Sequence, residues 1–327
     1  MKAISLFSGG LDSQLACQLI RRQGIEVIAV CFQTPFFGSN PSIQTSAARL
    51  GIDLHLLEIS DEYMSDILLK PRYGYGKNFN PCIDCHGFML RKAGDHMKET
   101  GASFLITGEV LGQRPMSQNK SSLGLVEKLS GYPGLIVRPL SAKLLPPTIP
   151  EREGWIDREQ LLDISGRGRT RQMALAEEFG ITDYPSPAGG CLLTEPGFAR
   201  RLKRLLEYRN LPTRSDTELL KTGRHFYVAS GTLLVVGRNH SENEQLKRLA
   251  IEGDVLIKMA QRPGPTGLLR IYQPGTPDMA YAASIVARYS DAKSLPEADA
   301  KILDHEDNLL SQITVMPLSP ELTPAMV

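Results

Sequence analysis

Ser8-Gly9-Gly10-Leu11-Asp12-Ser13 constrains this chain more than any other stretch, because it joins a short apolar run directly to a helical one. Lys2 to Phe7 reads as a buried strand. From Asp12 onward Leu15, Ala16, Leu19 and Ile20 recur at helical spacing, and Gly24 ends the pattern. Two adjacent glycines let the backbone turn sharply and expose its N–H groups, while the Ser8 and Ser13 hydroxyls and the positive end of the helix dipole point the same way. Such a turn is an anion site. The glycine spacings of a kinase-type phosphate loop and of a dinucleotide fold are both absent. A serine-glycine turn capping an ordinary helix is the plain alternative.

SGGxDS after a first strand resembles the pyrophosphate loop of the PP-loop ATPases, which cleave ATP between its α and β phosphates and adenylate a substrate oxygen. The resemblance implies that Ser8, Gly9, Gly10 and Ser13 hold the β and γ phosphates, with Asp12 beside the phosphates and their Mg²⁺.

Further along, Ile25 to Phe32 and Ile52 to Ile59 read as apolar strands separated by a helix from Ser42 to Leu50. Strands alternating with helices predict an α/β domain with a parallel sheet. Ligands in such sheets bind beyond the carboxyl ends of the strands, so Phe32, within the Cys31 to Phe37 segment, is expected to border the adenine through its backbone. The 327 residues suit two domains, and a formal charge of +1 confines any nucleic-acid contact to a local patch. Five cysteines do not make a disulfide scaffold, no run reaches membrane-spanning length, and Met1 leads into a strand rather than a signal segment. The expectation is a cytoplasmic protein with reduced cysteines that does not bind membranes.

A loop from Arg72 to Asn80 leads to Pro81-Cys82-Ile83-Asp84-Cys85-His86 and a helical pattern to about Lys98. Two thiols at this spacing at a helix start can share a metal, form a redox pair, or supply half of a larger site. Leu105 to Thr107 reads as the fourth strand, opening into Gly108-Glu109-Val110-Leu111-Gly112-Gln113 and on to Gln118. This GExxGQxxxSQ pattern is similar to that of the tRNA 4-thiouridine synthetases, where it lies beside ATP and the reacting base, which makes Gly108 and Gln113 candidate nucleotide contacts. Ile136 to Leu140 resembles the next strand of that family; Arg138 is either a nucleotide contact or a surface arginine at a strand end. Two helices are expected around Trp155 to Leu162 and Thr170 to Phe179. Between them Arg167, Arg169 and Arg171 lie on a loop suited to phosphate, with a solvated connection as the alternative.

Prolines and glycines from Tyr184 to Thr194 surround a lone Cys191, which implies a constrained loop holding one sulfur in place. Some PP-loop tRNA thiolation enzymes carry a CxxC plus one distant cysteine, and there the three thiolates hold a [4Fe-4S] cluster. The resemblance implies that role for Cys82, Cys85 and Cys191. The related 2-thiouridylases, which Asn80-Pro81 before a cysteine also resembles, use a persulfide-bearing pair instead. A zinc site completed by His86 is a third possibility.

The run Arg200, Arg201, Lys203, Arg204, Arg209 and Arg214 falls mostly on an expected amphipathic helix from Phe198 to Tyr208. Beyond it, TGRHF, VVGRNHSENEQL with a capping box from Ser241 to Glu244, and the Gly264-Pro265 turn resemble the small RNA-binding domain of the NFACT family. Arg224, His225, Arg238 and Asn239 are the candidate RNA contacts there. Pro274 to Ser290 reads as a closing helix, and the end after Val315 as poorly ordered.

The whole reads as a PP-loop catalytic domain over residues 1–180, a connecting segment over 181–212 carrying Cys191 and the basic helix, and a smaller α+β NFACT-like domain over 213–327. The resemblance implies an ATP-dependent tRNA sulfurtransferase that adenylates a uridine carbonyl and replaces its oxygen with sulfur. Asp12, Cys82, Cys85 and Cys191 are its catalytic candidates. ATP, Mg²⁺ and a [4Fe-4S] cluster are its implied cofactors, and tRNA and a sulfur donor, free sulfide or a persulfide carrier, its implied partners. The synthetases' usual RNA-binding domain before the catalytic part is not found here, so RNA selection is expected of the carboxyl-terminal domain. A PP-loop ligase or RNA-binding ATPase with structural zinc is the alternative.

Overall fold

β1 (Lys2–Leu6) is apolar, and the fold buries it by pairing it on both sides: Leu6 lies beside Val30 of β2 (Glu26–Gln33) and beside Thr107 of β4 (Phe104–Thr107), all parallel. With β3 (Asp53–Glu58) and β5 (Ile136–Val137) the sheet order is β3-β2-β1-β4-β5. The chain direction therefore splits between β1 and β4, and a crevice opens beyond their carboxyl ends. Helices α1 (Leu11–Arg21), α2 (Pro41–Arg49), α3 (Cys82–Thr100), α4 (Lys120–Ser130) and α5 (Thr170–Glu178) complete the layers. Leu15, Leu19 and Ile20 of α1 pack with Ala3, Val27, Phe104 and Ile106 of the sheet in one apolar core.

The computed structural model describes residues 1–38, 40–185, 190–275 and 277–327 and divides into two compact units, Met1–Thr194 and Glu195–Val327. The division falls inside the expected 181–212 connecting segment. In the first unit, α4 is a helix that the sequence pattern did not announce, and the expected helix at Trp155 to Leu162 shortens to a 3-10 turn, Arg158–Gln160. There the Asp157 side chain accepts the Glu159 N–H (2.9 Å), a local bond that competes with helix formation. Tyr63–Leu68 forms a π-helical turn.

The second unit holds α6 (Pro196–Leu206), α7 (Arg214–Leu219), β6 (Arg224–Ala229), β7 (Thr232–Val236), α8 (His240–Leu249), β8 (Val255–Met259), β9 (Gly267–Ile271), α9 (Met279–Arg288), β10 (Ala298–Leu303) and β11 (Leu309–Val315). Its six strands run antiparallel in the order β11-β10-β8-β9-β7-β6, so this is an α+β fold. Ile285 and Val286 of α9 cover one face against Phe226, Leu234 and Ile257, while Leu219 and Leu246 cover the other against Leu233, Val235 and Leu256. Two strands follow the expected closing helix, and backbone N–H groups beyond Val315 are bonded: Leu318 to the Ser284 carbonyl (3.0 Å) and Val327 to that of His225 (3.2 Å). The cap of α8 also differs from expectation: in place of a Ser241–Glu244 box, the N-cap is Asn239, whose side chain accepts the Glu242 N–H (3.0 Å). Among the described residues no helix is long and apolar enough to cross a membrane.

Candidate active site

The glycine loop lies at the carboxyl end of β1. Gly9 takes a left-handed φ of +69°, which only glycine adopts without strain, and Gly10 starts α1 with no side-chain cap. The first N–H groups of α1 are thus without a capping oxygen from Gly10's own position, as an anion site requires. The Ser13 hydroxyl donates to the Gly10 carbonyl (2.8 Å), and the Ser8 oxygen lies 3.4 Å from the Gly10 nitrogen and from the Ser13 oxygen. Across the topological split Gly108, just after β4, runs against this helix start: a Cβ there would sit 2.6 Å from Asp12 C and Ser13 N. Glycine at 108 lets the two strand ends form one wall.

Polar groups without partners gather behind that wall. Asp12 accepts from Gln113 Nε2 (3.0 Å) through one oxygen, while its buried Oδ1 has no partner, and neither has Gln113 Oε1. Burial pushes the Asp12 carboxyl above its ordinary range, opposed by Gln113 and by the guanidinium groups of Arg169 and Arg114. Phe32 is buried at the end of β2, and the turn after it is tied by Thr34, whose Oγ1 accepts the N–H groups of Phe36 and Phe37 (3.1 Å each).

That turn also receives the distant cysteine. The Leu192 N–H donates to the Phe36 carbonyl (3.0 Å), and the Leu193 carbonyl accepts the Phe79 N–H (3.4 Å) from the loop before the CxxC. Cys191 is thereby pinned between the end of β2 and the start of α3; Ser186 to Gly189 of its loop lie outside the described residues. Cys82 accepts from Asn80 Nδ2 (3.1 Å), and Asp84, between the two thiols, is buried and accepts the N–H groups of Arg72 (2.9 Å) and Tyr73 (3.0 Å), folding the loop back on the helix.

The three thiols feel one another. Burial raises the Cys85 pKa far above its usual value, and Cys191 and Cys82 add to the rise. Cys191 is pushed up to about 11 by burial, and Cys82 adds to this, against the backbone N–H groups of Leu193 and Thr194 and the Arg114 guanidinium. Arg114 acts on both Asp12 and Cys191, so the two lie within electrostatic reach of one residue. In kind, this donor set fits a thiophilic metal centre. Among the described residues, however, no three of His, Cys, Asp and Glu are drawn together tightly enough to ligate one ion. Cys17 and Cys31 are buried, and burial pushes their thiols up to about 12 and about 11.

Arg138 is not a surface arginine. It is 5% exposed, its Nε donates to Glu109 (2.9 Å), and its other nitrogens reach Glu127 (3.5 Å) and the Leu123 carbonyl (3.4 Å). Glu109 also bonds His86 Nδ1 (2.9 Å) and the Thr107 hydroxyl (3.2 Å). Burial pushes the Glu109 carboxyl up, but Arg138 and His86 outweigh it and bring it to about 2. Glu109 was not among the expected site residues, and its position within the motif after β4 is the only mark it carries in the sequence.

In the second unit the RNA candidates have structural partners. His225 is 2% exposed, bonds the Thr222 carbonyl through Nε2 (2.8 Å), and is pushed down to about 3 by burial and by Arg201, so it stays neutral rather than meeting phosphate. Arg238 forks onto Glu242, Arg224 donates to the Gly237 carbonyl (3.2 Å), and Asn239 caps α8. Arg200 and Arg201 of α6 and Arg238 leave a concentration of positive charge close enough to lower the Arg201 pKa, after burial.

Residues 1–143 match the family described as thiamine biosynthesis protein (ThiI), and residues 223–325 match the NFACT protein RNA binding domain. The chain resembles ThiI at one end and NFACT at the other. The ThiI-like segment contains the glycine loop, the CxxC and Arg138, whereas Cys191 lies beyond it. A tRNA-specific 2-thiouridylase MnmA of Pelobacter propionicus is 36% identical over 123 residues, 33% of this chain and 33% of that protein. A probable tRNA sulfurtransferase of Thermococcus kodakarensis is 27% identical over 191 residues, 56% of this chain and 45% of that one. The chain thus spans a third to a half of these curated relatives. A solved 4-thiouridine synthetase–RNA complex with bound ATP overlaps 62% of this chain and 50% of that one, at 23% identity and a TM-score of 0.39.

Proposed function

We propose that this chain is an ATP-dependent tRNA sulfurtransferase, adenylating a uridine carbonyl oxygen and exchanging it for sulfur. The observation that carries the reading is the pinning of the Cys191 segment to both the Phe36 turn beyond β2 and the Phe79 loop before the CxxC. It brings the distant thiol to the same strand ends that carry the glycine loop. The resemblance to ThiI over residues 1–143 supports the chemistry, and that to NFACT over 223–325 supports RNA as the acceptor. The division of labour follows: residues 1–180 for catalysis, 181–212 for the connection and third thiol, and 213–327 for holding tRNA.

In this mechanism the N–H groups at the start of α1, with the Ser8 and Ser13 hydroxyls, hold the phosphates of ATP. Gln113 fixes one carboxylate oxygen of Asp12, and the unpartnered Oδ1 would hold Mg²⁺, whose charge would offset the upward push of burial. The backbone at Phe32 borders the adenine. The uridine carbonyl oxygen attacks the α phosphorus and pyrophosphate leaves, stabilised by backbone amides; sulfur then displaces AMP, which carries the former carbonyl oxygen away. Arg138 serves indirectly, by holding Glu109 and through it His86 beside the CxxC. Cys82, Cys85 and Cys191 would hold the [4Fe-4S] cluster, which supplies a thiophilic metal for the incoming sulfur.

A second reading makes Cys82 and Cys191 a persulfide pair. It is favoured by exposure, since both are half-buried while Cys85 is buried. The deciding assay incubates tRNA with ATP, sulfide and the anaerobically purified protein and measures nucleosides, AMP and pyrophosphate. A thionucleoside formed with one AMP supports the reading. AMP without a thionucleoside moves it to a ligase, and no AMP at all overturns it. Loss of activity in Cys85→Ser with sulfide favours the cluster; activity of Cys85→Ser with a persulfide donor in place of sulfide favours the persulfide pair.

A further inference from the structure

Of the three arginines expected on one loop, Arg167 precedes α5 and is exposed, whereas Arg171 lies in the first turn of α5, also exposed and paired with Asp163 (2.6 Å). Arg169 is different. It occupies the N-cap position of α5, and its buried Nε has no hydrogen-bond partner. One turn into the helix Gln172 is 0% exposed, and neither its amide nitrogen nor its amide oxygen has a partner. A fully buried glutamine with both ends unpaired costs folding free energy that a ligand can return. Both residues lie near enough to Asp12 to favour its charged form, Arg169 through its guanidinium and Gln172 through its amide, which stops short of a hydrogen bond. Asp12 Oδ1 and Gln113 Oε1 are likewise without partners. α5 is held against α1 by the Arg22–Glu178 pair (2.8 Å) and, beyond its end, by Gln14 Nε2 donating to the Asp183 carbonyl (3.2 Å), so these groups are carried on a braced helix.

We propose that Arg169 and Gln172 form a second limb of the phosphate site, gripping the pyrophosphate half of ATP from α5 while the glycine loop grips it from α1. The inference rests on the ATP-using reading above and adds a specificity to it. A guanidinium beside the departing phosphates contributes to binding ATP and inorganic pyrophosphate, and nothing to binding AMP. The unpaired carboxylate oxygen of Asp12 faces the same Mg²⁺-bearing phosphates, so the limb supplies the positive and neutral donors that Asp12 cannot.

Calorimetric titration of the full chain with ATP, pyrophosphate and AMP, each with Mg²⁺, tests this. For Arg169→Gln the expected result is a tenfold to hundredfold weaker affinity for ATP and pyrophosphate, on the scale of about one charge-assisted hydrogen bond, with AMP unchanged. Arg169→Lys should recover part of the loss, and Gln172→Leu should weaken ATP by roughly threefold to tenfold. The Trp155 unfolding midpoint, measured alongside, identifies any variant that fails to fold, in which case Arg169→Lys and Gln172→Leu carry the test. Equal affinity of Arg169→Gln and the parent chain for ATP and pyrophosphate overturns the limb and leaves the glycine loop standing. A parent chain that binds no ATP overturns the nucleotide reading itself, and the limb with it.

Discussion

Replacing Glu109 by Gln removes one charge from a buried network while keeping its shape. In the native chain this carboxylate, 6% exposed, receives Arg138 Nε at 2.9 Å, His86 Nδ1 at 2.9 Å and the Thr107 hydroxyl at 3.2 Å. Its pKa falls from the ordinary 4.5 to about 2. A carboxyl made more acidic by folding stabilises the folded state fully above its unfolded pKa, and the contribution disappears as pH drops toward the folded one. At about 1.4 kcal/mol for each tenfold change in acidity, the contribution is about 3 kcal/mol at pH 7 and roughly 1.5 kcal/mol at pH 3. Breaking the pair from the other side gives a similar figure, since a buried guanidinium left with only the long contacts to Glu127 (3.5 Å) and the Leu123 carbonyl (3.4 Å) costs about 3–5 kcal/mol. Trp155 is the single tryptophan of the chain and packs against the core of the first unit, so its fluorescence follows this unit's unfolding in urea. The stability gap between the native chain and Glu109→Gln should be about 3 kcal/mol at pH 7 and close to half of that at pH 3. Groups titrating equally in both proteins cancel in the difference. A gap below about 1 kcal/mol at pH 7, or one that widens on acidification, refutes the argument that Glu109 is ionised and paired.

Gly108→Ala should destabilise the first unit by about 1–3 kcal/mol and abolish ATP binding, because the new Cβ would lie 2.6 Å from the Asp12 and Ser13 backbone; urea unfolding and calorimetry check both effects. In the second unit Arg270 is 3% exposed between Asp254 (2.7 Å) and Asp216 (3.1 Å), so Arg270→Ala leaves the buried Asp254 without its ion pair and Asp216 with Arg209 alone (3.1 Å). A loss of about 3–5 kcal/mol is expected by far-UV circular dichroism in urea, and a loss under 1 kcal/mol would contradict the buried-network account. Finally, native metal-free protein treated with an aromatic disulfide reagent should titrate two thiols quickly, Cys82 and Cys191, and all five only after unfolding. Fast reaction of Cys85 would mean that its burial is wrong.

What the sequence made legible is local. The glycine loop announces itself because strand, turn and helix cap all fall within a few residues, and the periodicities of β1 and α1 need no distant partner to be read. Arg138 shows the opposite case. Its two sequence readings, nucleotide contact or surface group, both missed the ion pair, because Glu109 is 29 positions away and joins it only when β4 and β5 lie side by side. Helix α4 escaped notice for a similar reason: its own residues, with Gly124 in the middle, are a weak helical pattern, and the sign of a neighbour sits instead on α3. There a Cβ at Gly87 would meet Leu129 at 2.5 Å, and one at Gly94 would meet the Tyr132 ring at 2.1 Å. β11 was missed because it is an edge strand with Leu309 and Leu310 exposed, so alternation gives no inward face to detect.

The cysteines join these two lessons. Proline and glycine around Cys191 reveal that its sulfur is held, but the residues that hold it carry no chemistry of their own. They are the backbone carbonyl of Phe36 and the backbone N–H of Phe79, in turns shaped by the Thr34 hydroxyl and by Asp84. Side-chain identity is thus selected where a group must react, and backbone geometry where it must be positioned. For a site assembled from strand ends, the second requirement is met by turns whose sequences look ordinary. The same division accounts for Arg169 and Gln172, whose significance lies less in their residue types than in burial without partners, a property that only the folded chain possesses.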